Sequence, residues 1–334
     1  MRVLFATYPM AFHTPGGGEA QLLAYERYLK AAGIAVTRLD PWNPRFRDHD
    51  LVHFFSVVGG SSHLCAFVKQ LGLPLVVSSS LWITPATAAD FPVEEIRHQL
   101  HLADCIVTNS PSESATLAAT LGVPANKLRV VPNAVEPRFL VAADPSLFRV
   151  AYGLSEPFVL CVGNIEPRKN QLRLAEAMRA LPGYRLVLIG GVRDEAYLAA
   201  VEQEAGPQLL RLAPLDHDSP LLVSAYAACS VFALPSLFET PGLAALEAAG
   251  QGAPIVVTSQ GAAPDYFGAA ARYVDPLQVA SIRDALIAAA ADAARPLPQR
   301  GARAITPPTW EIAVQKLLEV YGEVLRRPAE ELPQ

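Results

Sequence analysis

The chain has 334 residues, of which 51% are hydrophobic and 18% are charged, and its formal net charge is −5. A chain of this length exceeds what one hydrophobic core usually supports, so two domains are expected. The mild acidity and the lack of a long Lys or Arg run exclude the electrostatic pattern of a nucleic-acid-binding protein.

The first half alternates short β-branched runs with longer Ala- and Leu-rich segments of helical spacing, which is typical of a parallel sheet covered by helices. Strands are predicted at Arg2–Ala6, Ala35–Leu39, Leu51–Phe55, Leu75–Ser78, Cys105–Thr108 and Leu128–Val131. Helices are predicted at Glu19–Ala32, Ser62–Gln70, Val93–Leu102 and Ser112–Leu121. This pattern predicts a doubly wound α/β domain at residues 1–140.

A proline-rich segment without periodicity, Asn133–Pro157, suits a connection between domains. Beyond it, strands are predicted at Phe158–Val162, Arg185–Ile189, Leu209–Leu212, Val231–Ala233, Ile255–Val257 and Ala271–Val274. A last helix is predicted at Thr309–Arg326. The sequence thus predicts a second doubly wound domain at 141–308, then a closing helix and a tail at 309–334, with a ligand cleft between the domains at the carboxyl ends of the strands.

The cysteines and the apolar runs bear on location. The four cysteines are scattered, with no C-x-x-C pair and no histidine at zinc-ligand spacing, so we expect reduced thiols in a cytoplasmic protein. The opening MRVLFATYP is too short an apolar run for a signal peptide, and no apolar span of ~20 residues occurs elsewhere. Since no basic amphipathic helix is evident, membrane contact is expected to be peripheral at most.

Two carboxylates, Glu239 and Glu247, stand in the otherwise apolar segment LFETPGLAALEAAGQG. Thr-Pro predicts a helix start, since a capping hydroxyl precedes proline at the first helical position, and the helix is expected at Pro241–Ala249. Its first turn offers the backbone N–H groups of Gly242 and Leu243 to an anion. A phosphate there would lie between two acceptors for sugar hydroxyls. Taken alone, the same spacing also fits a helix cap and a solvated surface residue.

The longer string PSLFETPGLAALEAAGQGAPIVV resembles the signature of retaining glycosyltransferases of the GT-B fold, in particular family four (glycosyl transferases group 1), with Pro241 in place of a Phe. The resemblance implies two Rossmann-like domains facing a central cleft. It implies that Glu247 binds the nucleotide ribose and that Glu239 contacts the transferred sugar. The amides of Gly242 and Leu243 would hold phosphate and sugar.

A second string, VGNIEPRKNQ, resembles the family's G-R-[LI]-x-x-x-K, which brings an Arg and a Lys to the pyrophosphate. Lys169 matches the Lys, whereas Asn164 occupies the Arg position. The adjacent Arg168 is the candidate for the missing guanidinium, which would bind two phosphate oxygens at once. Taken alone, Arg168 and Lys169 also fit exposed cations at a strand–helix turn.

In the first half, PGGGEAQ follows the first strand and opens a helix, as the family's Gly-Gly loop does, so Gly17 and Gly18 are candidate donor contacts. A dinucleotide fingerprint is disfavoured because Gln21 stands where its last glycine belongs. A plain flexible turn remains open. Ser80 lies where the family often has a histidine, and it is a candidate sugar or acceptor contact together with Trp82 and His53. Each of the three also fits a purely structural role.

The resemblance implies a transfer with retention from a UDP- or GDP-linked sugar, with no cofactor beyond this co-substrate and no metal. Arg168, Lys169 and the helix-start amides would stabilise the leaving phosphate, and Glu239 would orient the sugar. Two D-x-D strings, 48–50 and 216–218, are interpreted as a strand entry and a helix cap rather than metal ligands. The acceptor is a glycan, a lipid-linked sugar or a small molecule. An epimerase or phosphorylase of this architecture, or a non-catalytic nucleotide-sugar-binding protein, remains an alternative.

Overall fold

The computed structural model describes residues 1–240, 242–293 and 305–326. Its contacts divide the chain into two units, one comprising Met1–Asn133 with the segment from Trp310 onward and the other Ala134–Thr309. The division after Asn133 comes earlier than the predicted boundary at 140, because Val135 already pairs with Thr309 of the second unit. The predicted tail beyond Arg326 lies outside the described residues.

The first unit is built on six parallel strands in the order β2-β1-β3-β4-β5-β6. The strands are β1 Arg2–Thr7, β2 Ala35–Arg38, β3 Leu51–Phe55, β4 Leu75–Ser78, β5 Cys105–Thr108 and β6 Leu128–Val130. All residues of the central strands β3, β4 and β5 are buried. Burial on both faces is why these strands appear as unbroken apolar runs in the sequence.

Four helices connect these strands: α1 Gly17–Ala31, α2 Ser62–Gln70, α3 Val93–Leu102 and α4 Pro111–Leu121. The ends of α4 illustrate the local chemistry. Ser110 caps it by accepting a hydrogen bond from the Glu113 amide at 3.0 Å, proline takes the first helical position, and Gly122 ends the helix with φ 68°. Short 3₁₀ turns lie at Phe46–Asp48, Ala88–Asp90 and Ala125–Lys127.

The second unit repeats this architecture with six parallel strands in the order β12-β11-β10-β7-β8-β9. The strands are β7 Phe158–Val162, β8 Arg185–Ile189, β9 Leu209–Leu212, β10 Val231–Leu234, β11 Ile255–Thr258 and β12 Ala271–Val274. Every strand predicted in either half is present, and the ends differ by one residue at most. Strong apolar runs thus placed the elements correctly.

The helices of the second unit are α5 Ser146–Tyr152, α6 Gln171–Met178, α7 Glu195–Ala205, α8 Pro220–Ala228, α9 Leu243–Gly250, α10 Ala263–Phe267 and α11 Val279–Ala293. Short 3₁₀ turns lie at Pro137–Leu140, Pro167–Lys169, Gly206–Gln208 and Gly268–Ala270. None of the helices in the described residues is both long and apolar enough to cross a membrane.

A last helix, α12 Trp310–Arg326, packs on α1 of the first unit. Its buried residues recur at helical spacing along one face, as an amphipathic helix requires. Trp310 meets the Tyr25 ring edge-on at 5.5 Å between centroids. The segment after the second unit therefore completes the core of the first.

Candidate functional site

The turn after β7 carries the two cations that the sequence singled out. Asn170 follows them in the left-handed conformation, with φ 62°, which asparagine tolerates better than most residues. Its side-chain amide is buried and donates to the carbonyls of Pro235 and Pro276 at 2.9 and 2.7 Å. The amide of Leu237 also donates to the Arg168 carbonyl at 2.8 Å. The bonds to Pro235 and Leu237 tie the turn to the loop that follows β10, and the bond to Pro276 ties it to the segment after β12.

Lys169 and Glu239 form a largely buried ion pair across these two loops. The Lys169 ammonium lies 2.5 Å from Glu239 Oε1, and the Ser236 hydroxyl donates to the same oxygen at 2.6 Å. Burial on its own would raise the pKa of the Glu239 carboxyl, but the charges of Lys169 and Arg168 outweigh it, and the pKa is lowered. Glu239 is therefore held as an anion.

Arg168 lies at the rim of this pair. Its guanidinium is 3.8 Å from Glu239 Oε1 and donates to Glu166 Oε1 at 2.7 Å. The same guanidinium lies over the Phe238 ring, 5.5 Å from its centroid. Asn164, by contrast, packs its side-chain oxygen toward Gly191, where an added Cβ would come within 3.2 Å. The structure thus brings Arg168, Lys169 and Glu239 together in one place.

The backbone of Glu239 is clamped by a glycine. Its amide donates to the Gln260 carbonyl at 3.2 Å, and its carbonyl accepts from the Ala262 amide at 2.8 Å. Gly261 lies between these partners with φ 108°, and a Cβ there would lie 2.1 Å from the Glu239 carbonyl oxygen. Only glycine permits this approach, so the carboxylate projects from a fixed backbone.

Helix α9 begins at Leu243, so the prediction of a helix at Pro241–Ala249 is wrong at its start. The cap is Gly242, whose φ of 83° interrupts a right-handed helix at that point. Pro241 itself lies outside the described residues. The first intrahelical bond runs from the Ala245 amide to the Gly242 carbonyl at 3.0 Å, so the amides before it have no acceptor inside the helix.

Gly242 also places the start of α9 beside the ion pair. A Cβ at this glycine would lie 3.6 Å from Glu239 Oε2 and 3.0 Å from Leu234 Cδ2. The amide end of the helix, a buried carboxylate and two cations therefore meet at the carboxyl end of β10. Such an arrangement can bind an anion together with a polyhydroxylated group.

Glu247 lies inside α9 and is buried, which excludes the solvated-surface interpretation. The Tyr226 hydroxyl donates to its Oε2 at 2.7 Å, and His217 Nε2 lies 2.7 Å from its Oε1. The His217 side chain is 48% exposed; its partial desolvation on its own would lower its pKa, but the hydrogen bond and charge of Glu247 outweigh this effect, and the pKa is raised. Burial and Glu247 together raise the pKa of Tyr226 well above its ordinary range.

Sequence reasoning missed several of these partners: Arg138, His217, Tyr226 and Ser236. His217 stands inside the second D-x-D string, which drew attention only to its acids. In the structure Asp218 pairs with Arg138, and Ser219 caps α8 by accepting from the Leu221 amide at 3.2 Å. Within the described ranges, no group of three or more His, Cys, Asp or Glu side chains is arranged to hold a metal ion.

Within the first unit, two glycines are exposed at the start of α1. Gly17 and Gly18 lie in its first turn, and a Cβ at Gly18 would meet no atom within 4 Å. The Glu19 side chain accepts from the Gly16 amide at 2.7 Å, which fixes the turn. The loop therefore leaves its backbone open to a ligand.

Ser80 follows β4 with an unusual φ of 43°. Its hydroxyl donates to Gln21 Oε1 at 3.1 Å and accepts from Asn109 Nδ2 at 3.2 Å, so it belongs to an internal polar network. Trp82 is half-buried just beyond it. Both remain candidates for a ligand contact.

His53 requires a correction. It is fully buried on β3, with Nδ1 2.6 Å from the Tyr321 hydroxyl and Nε2 2.8 Å from the Ser78 hydroxyl. Burial lowers its pKa to about 3. Because both ring nitrogens are used inside the core, the predicted sugar contact is wrong and the histidine is structural.

Another buried carboxylate, Glu113, lies beneath the Ser80 loop. The Ser79 hydroxyl and the Leu81 amide donate to Oε1 at 2.6 and 2.9 Å, and the Asn109 amide donates to Oε2 at 2.7 Å. Burial raises its pKa to about 7, although these donors oppose the rise. The group ties the ends of β4 and β5 to the first turn of α4.

Two family models match the sequence. The one described as Glycosyl transferases group 1 matches residues 156–292, and the one described as Glycosyltransferase Family 4 matches residues 34–139. The first match lies in the second unit, and nearly all of the second match lies in the first unit. Together they cover most of the chain.

The chain is 30% identical over 237 residues to a D-inositol 3-phosphate glycosyltransferase of Segniliparus rotundus, a match covering 65% of this chain and 52% of that protein. It is 28% identical over 211 residues to O-antigen chain mannosyltransferase B of Escherichia coli, covering 59% and 54%. The chain thus spans about half the length of the curated relatives it matches.

Among solved structures, the chain is similar to a sucrose-phosphate synthase from Thermosynechococcus elongatus, with a TM-score of 0.80, 19% identity, and coverage of 97% of this chain and 99% of that one. It is also similar to the lipopolysaccharide-biosynthesis glycosyltransferase WaaG, with a TM-score of 0.69, 15% identity, and coverage of 98% and 100%. At these identities the likeness concerns the fold. It confirms the predicted class of two Rossmann-like, doubly wound domains of the GT-B type.

Proposed function

The chain belongs to the group 1 glycosyltransferases of family four, and on that premise we propose that it moves a sugar from a UDP- or GDP-linked donor to an acceptor hydroxyl. We further propose that the configuration at the anomeric carbon is retained and that no metal ion takes part. The observation that carries the proposal is the meeting of Arg168, Lys169 and Glu239 with the amide end of α9.

The diphosphate of the donor is assigned to this amide end. When the bond between the anomeric carbon and the diphosphate oxygen breaks, negative charge develops on the β-phosphate. Lys169 and Arg168 supply positive charge there, and the amides of Gly242 and Leu243 supply fixed donors. Arg168 takes the place of the guanidinium that Asn164 lacks, since it already lies 3.8 Å from the shared carboxylate.

The sugar is assigned to Glu239. Lys169 and Ser236 both bind Oε1, so Oε2 is the oxygen we assign to a sugar hydroxyl. The acceptor oxygen attacks the anomeric carbon from the face that the diphosphate leaves, and its proton passes to the departing phosphate oxygen. The new bond forms on the face from which the diphosphate leaves, so the configuration at the anomeric carbon is retained.

The ribose is assigned to Glu247. Each of its oxygens accepts one hydrogen bond within the protein and keeps the capacity for another. Two neighbouring ribose hydroxyls can therefore donate to the two oxygens. A buried carboxylate with one remaining acceptor position on each oxygen suits this diol.

The acceptor is proposed only by class: a glycan, a lipid-linked sugar or a small molecule. We propose a cytoplasmic enzyme of glycan or glycoconjugate synthesis, with peripheral membrane contact at most. The four cysteines, which are all buried thiols, support a reducing location.

The direct test is a panel of UDP- and GDP-sugars incubated with the protein, with and without candidate acceptors, while release of UDP or GDP is followed. We expect release from one donor, an unchanged rate with EDTA, and a product whose anomeric configuration by NMR matches the donor. A strict need for inorganic phosphate would instead identify a phosphorylase. A sugar altered without any acceptor would identify an epimerase, and tight donor binding with no reaction would identify a binding protein.

A further inference from the structure

Glu247 is the end of a chain of polar contacts that crosses four elements of the second unit. His217, in the loop before α8, contacts its Oε1, and Arg138, in the 3₁₀ turn Pro137–Leu140, contacts the far side of the same imidazole. Asp218 pairs with Arg138, and Tyr226 holds the other carboxylate oxygen. We call Arg138, His217 and Glu247 the ribose triad.

The contacts fix the tautomer of His217. Arg138 Nη2 lies 3.0 Å from His217 Nδ1. A guanidinium only donates hydrogen bonds, so Nδ1 must present its lone pair. The proton therefore sits on Nε2, which donates it to Glu247 Oε1 at 2.7 Å.

We propose that His217 and Arg138 are positioning residues of the donor site, Arg138 by fixing the Nε2–H tautomer of His217 and His217 by fixing the Glu247 carboxylate for the ribose. The inference rests on the proposed function and adds two residues to the same site. With Tyr226 on Oε2 and His217 on Oε1, rotation of the carboxylate is blocked and one acceptor position remains on each oxygen.

The surroundings of Arg138 indicate that its position serves this contact. Its guanidinium lies over the Phe139 ring, 5.3 Å from the centroid, and pairs with Asp218. Its Nε is buried and has no hydrogen-bond partner among the described residues. A buried donor left unpaired costs stability, so the fold tolerates a cost to keep this guanidinium against His217.

The triad makes nucleotide binding depend on pH. The charged and titratable groups around His217 are Glu136 and Arg138 in the linker, Asp216 and Asp218 in its own loop, Tyr226 on α8 and Glu247 on α9. A second proton on His217 must go to Nδ1, where it opposes the Arg138 donor. The imidazolium would also compete more strongly with ribose for Glu247. Affinity for the nucleotide should therefore fall as the pH drops through the raised pKa of His217.

The test compares three variants with the wild type by calorimetric titration with UDP and GDP at pH 8 and pH 6. For whichever of the two nucleotides the wild type binds, His217→Ala should lower the affinity by about tenfold at pH 8, since a hydrogen bond to a charged group is lost. His217→Gln should stay within about threefold of the wild type, because its amide can donate from the Nε2 position, and its affinity should depend less on pH. His63→Gln, an exposed histidine of the first unit, is the matched control.

Two further arms separate a positioning role from general damage. The 2′,3′-dideoxy form of the same nucleotide should bind wild type and His217→Ala equally, because it lacks the hydroxyls that Glu247 receives. Imidazole nitrogen NMR of the unliganded protein should show His217 as the Nε2–H tautomer in the wild type and a mixture in Arg138→Met, which removes the donor that faces Nδ1. Thermal melts confirm that each variant is folded.

Different results would overturn the positioning role of His217 and the proposed function. Two results with a wild type that binds nucleotide would overturn the positioning role while the proposed function stands. In one, His217→Ala binds the nucleotide as tightly as the wild type; in the other, His217→Ala loses as much affinity for the dideoxy form as for the normal nucleotide. An Nδ1–H tautomer in the wild type also overturns it. A wild type that binds neither UDP nor GDP overturns the proposed function and the inference together.

Discussion

The two units each bury a carboxylate near the carboxyl ends of their strands, and they treat it in opposite ways. Glu113 of the first unit receives only uncharged donors, and its pKa is raised to about 7. Glu239 of the second unit is buried as well but faces Lys169 and Arg168, and its pKa is lowered. The type of partner, rather than burial, decides which carboxylate stays charged at neutral pH.

We interpret the difference as one between a structural carboxylate, Glu113, and the carboxylate proposed to act in transfer, Glu239. Glu113 joins three backbone segments, and its hydrogen-bond donors are a hydroxyl, backbone amides and the Asn109 side chain, all uncharged. Glu239 lies with two cations beside the amide end of α9, where an added anion would find positive charge. We therefore expect changes around Glu239 to affect turnover and changes around Glu113 to affect stability.

The largest effect is expected from Lys169→Ala. This variant leaves Glu239 buried without its nearest cation, so that its surroundings become more like those of Glu113. Turnover should fall by about 10²–10³-fold, because a fixed charge at the leaving phosphate is lost. The nucleotide affinity should change less. Steady-state kinetics on folded protein measure both, and Lys316→Ala, an exposed lysine of α12, is the control. Equal turnover in Lys169→Ala and the wild type would contradict the assignment.

Glu247→Ala tests whether the nucleotide binds to the second unit. Loss of the buried carboxylate should lower the affinity for UDP or GDP by roughly 10–100-fold, since two hydrogen bonds to a charged acceptor disappear. Titration calorimetry against Glu319→Ala, an exposed glutamate on α12, checks this. An unchanged dissociation constant would mean that the ribose lies elsewhere.

The pKa of Glu113 leads to a stability prediction. Its pKa is about 7 in the folded protein, whereas an unperturbed glutamate has a pKa of 4.5, so folding favours the protonated form. The resulting stabilisation is complete below pH 4.5 and is lost as the pH rises through 7. Between pH 5 and pH 7 it should fall by about 2 kcal/mol.

Urea unfolding of wild type and Glu113→Gln over this range measures the difference in stability between the two proteins, which should change by this amount. Taking the difference removes the opposite contribution of His53, whose pKa is lowered to about 3 and whose stabilisation therefore grows as the pH rises to 6.5. Glu239 contributes to the pH dependence of stability with the opposite sign. Its stabilisation is present above pH 4.5 and is lost as the pH falls through its lowered pKa. The same pH dependence of stability in the wild type and in Glu113→Gln would refute the assignment.

Ser80→Ala should have the smallest effect. Its hydroxyl is already shared between Gln21 and Asn109, so a ligand gains at most one further contact from it. We expect turnover within about threefold of the wild type. Competition kinetics with several acceptors would show this, and a loss beyond a hundredfold would make Ser80 a primary contact.

Most of the fold could be predicted from the sequence because buried parallel strands appear as unbroken apolar runs. The start of α9 could not, since Thr-Pro suggested a cap and only the positive φ of Gly242 sets the actual one. The sugar contact assigned to His53 failed because its partner Tyr321 comes from a helix 268 residues away. Such long-range pairings leave no local pattern.

Some residues of the candidate site could also be predicted from the sequence, and others could not. Motifs placed Lys169 and both glutamates in the second unit, and the neighbouring Arg168 followed from charge. His217 and Arg138 were missed because their contact joins a linker turn to a loop 79 residues away. Spacing within one segment cannot indicate such a pair.

The most direct test of the central claim is a crystal structure with an unreactive fluorinated UDP- or GDP-sugar. We expect the diphosphate at the first turn of α9 beside Lys169, the hexose on Glu239 and the ribose on Glu247. A nucleotide bound elsewhere, with the start of α9 unoccupied, would contradict it.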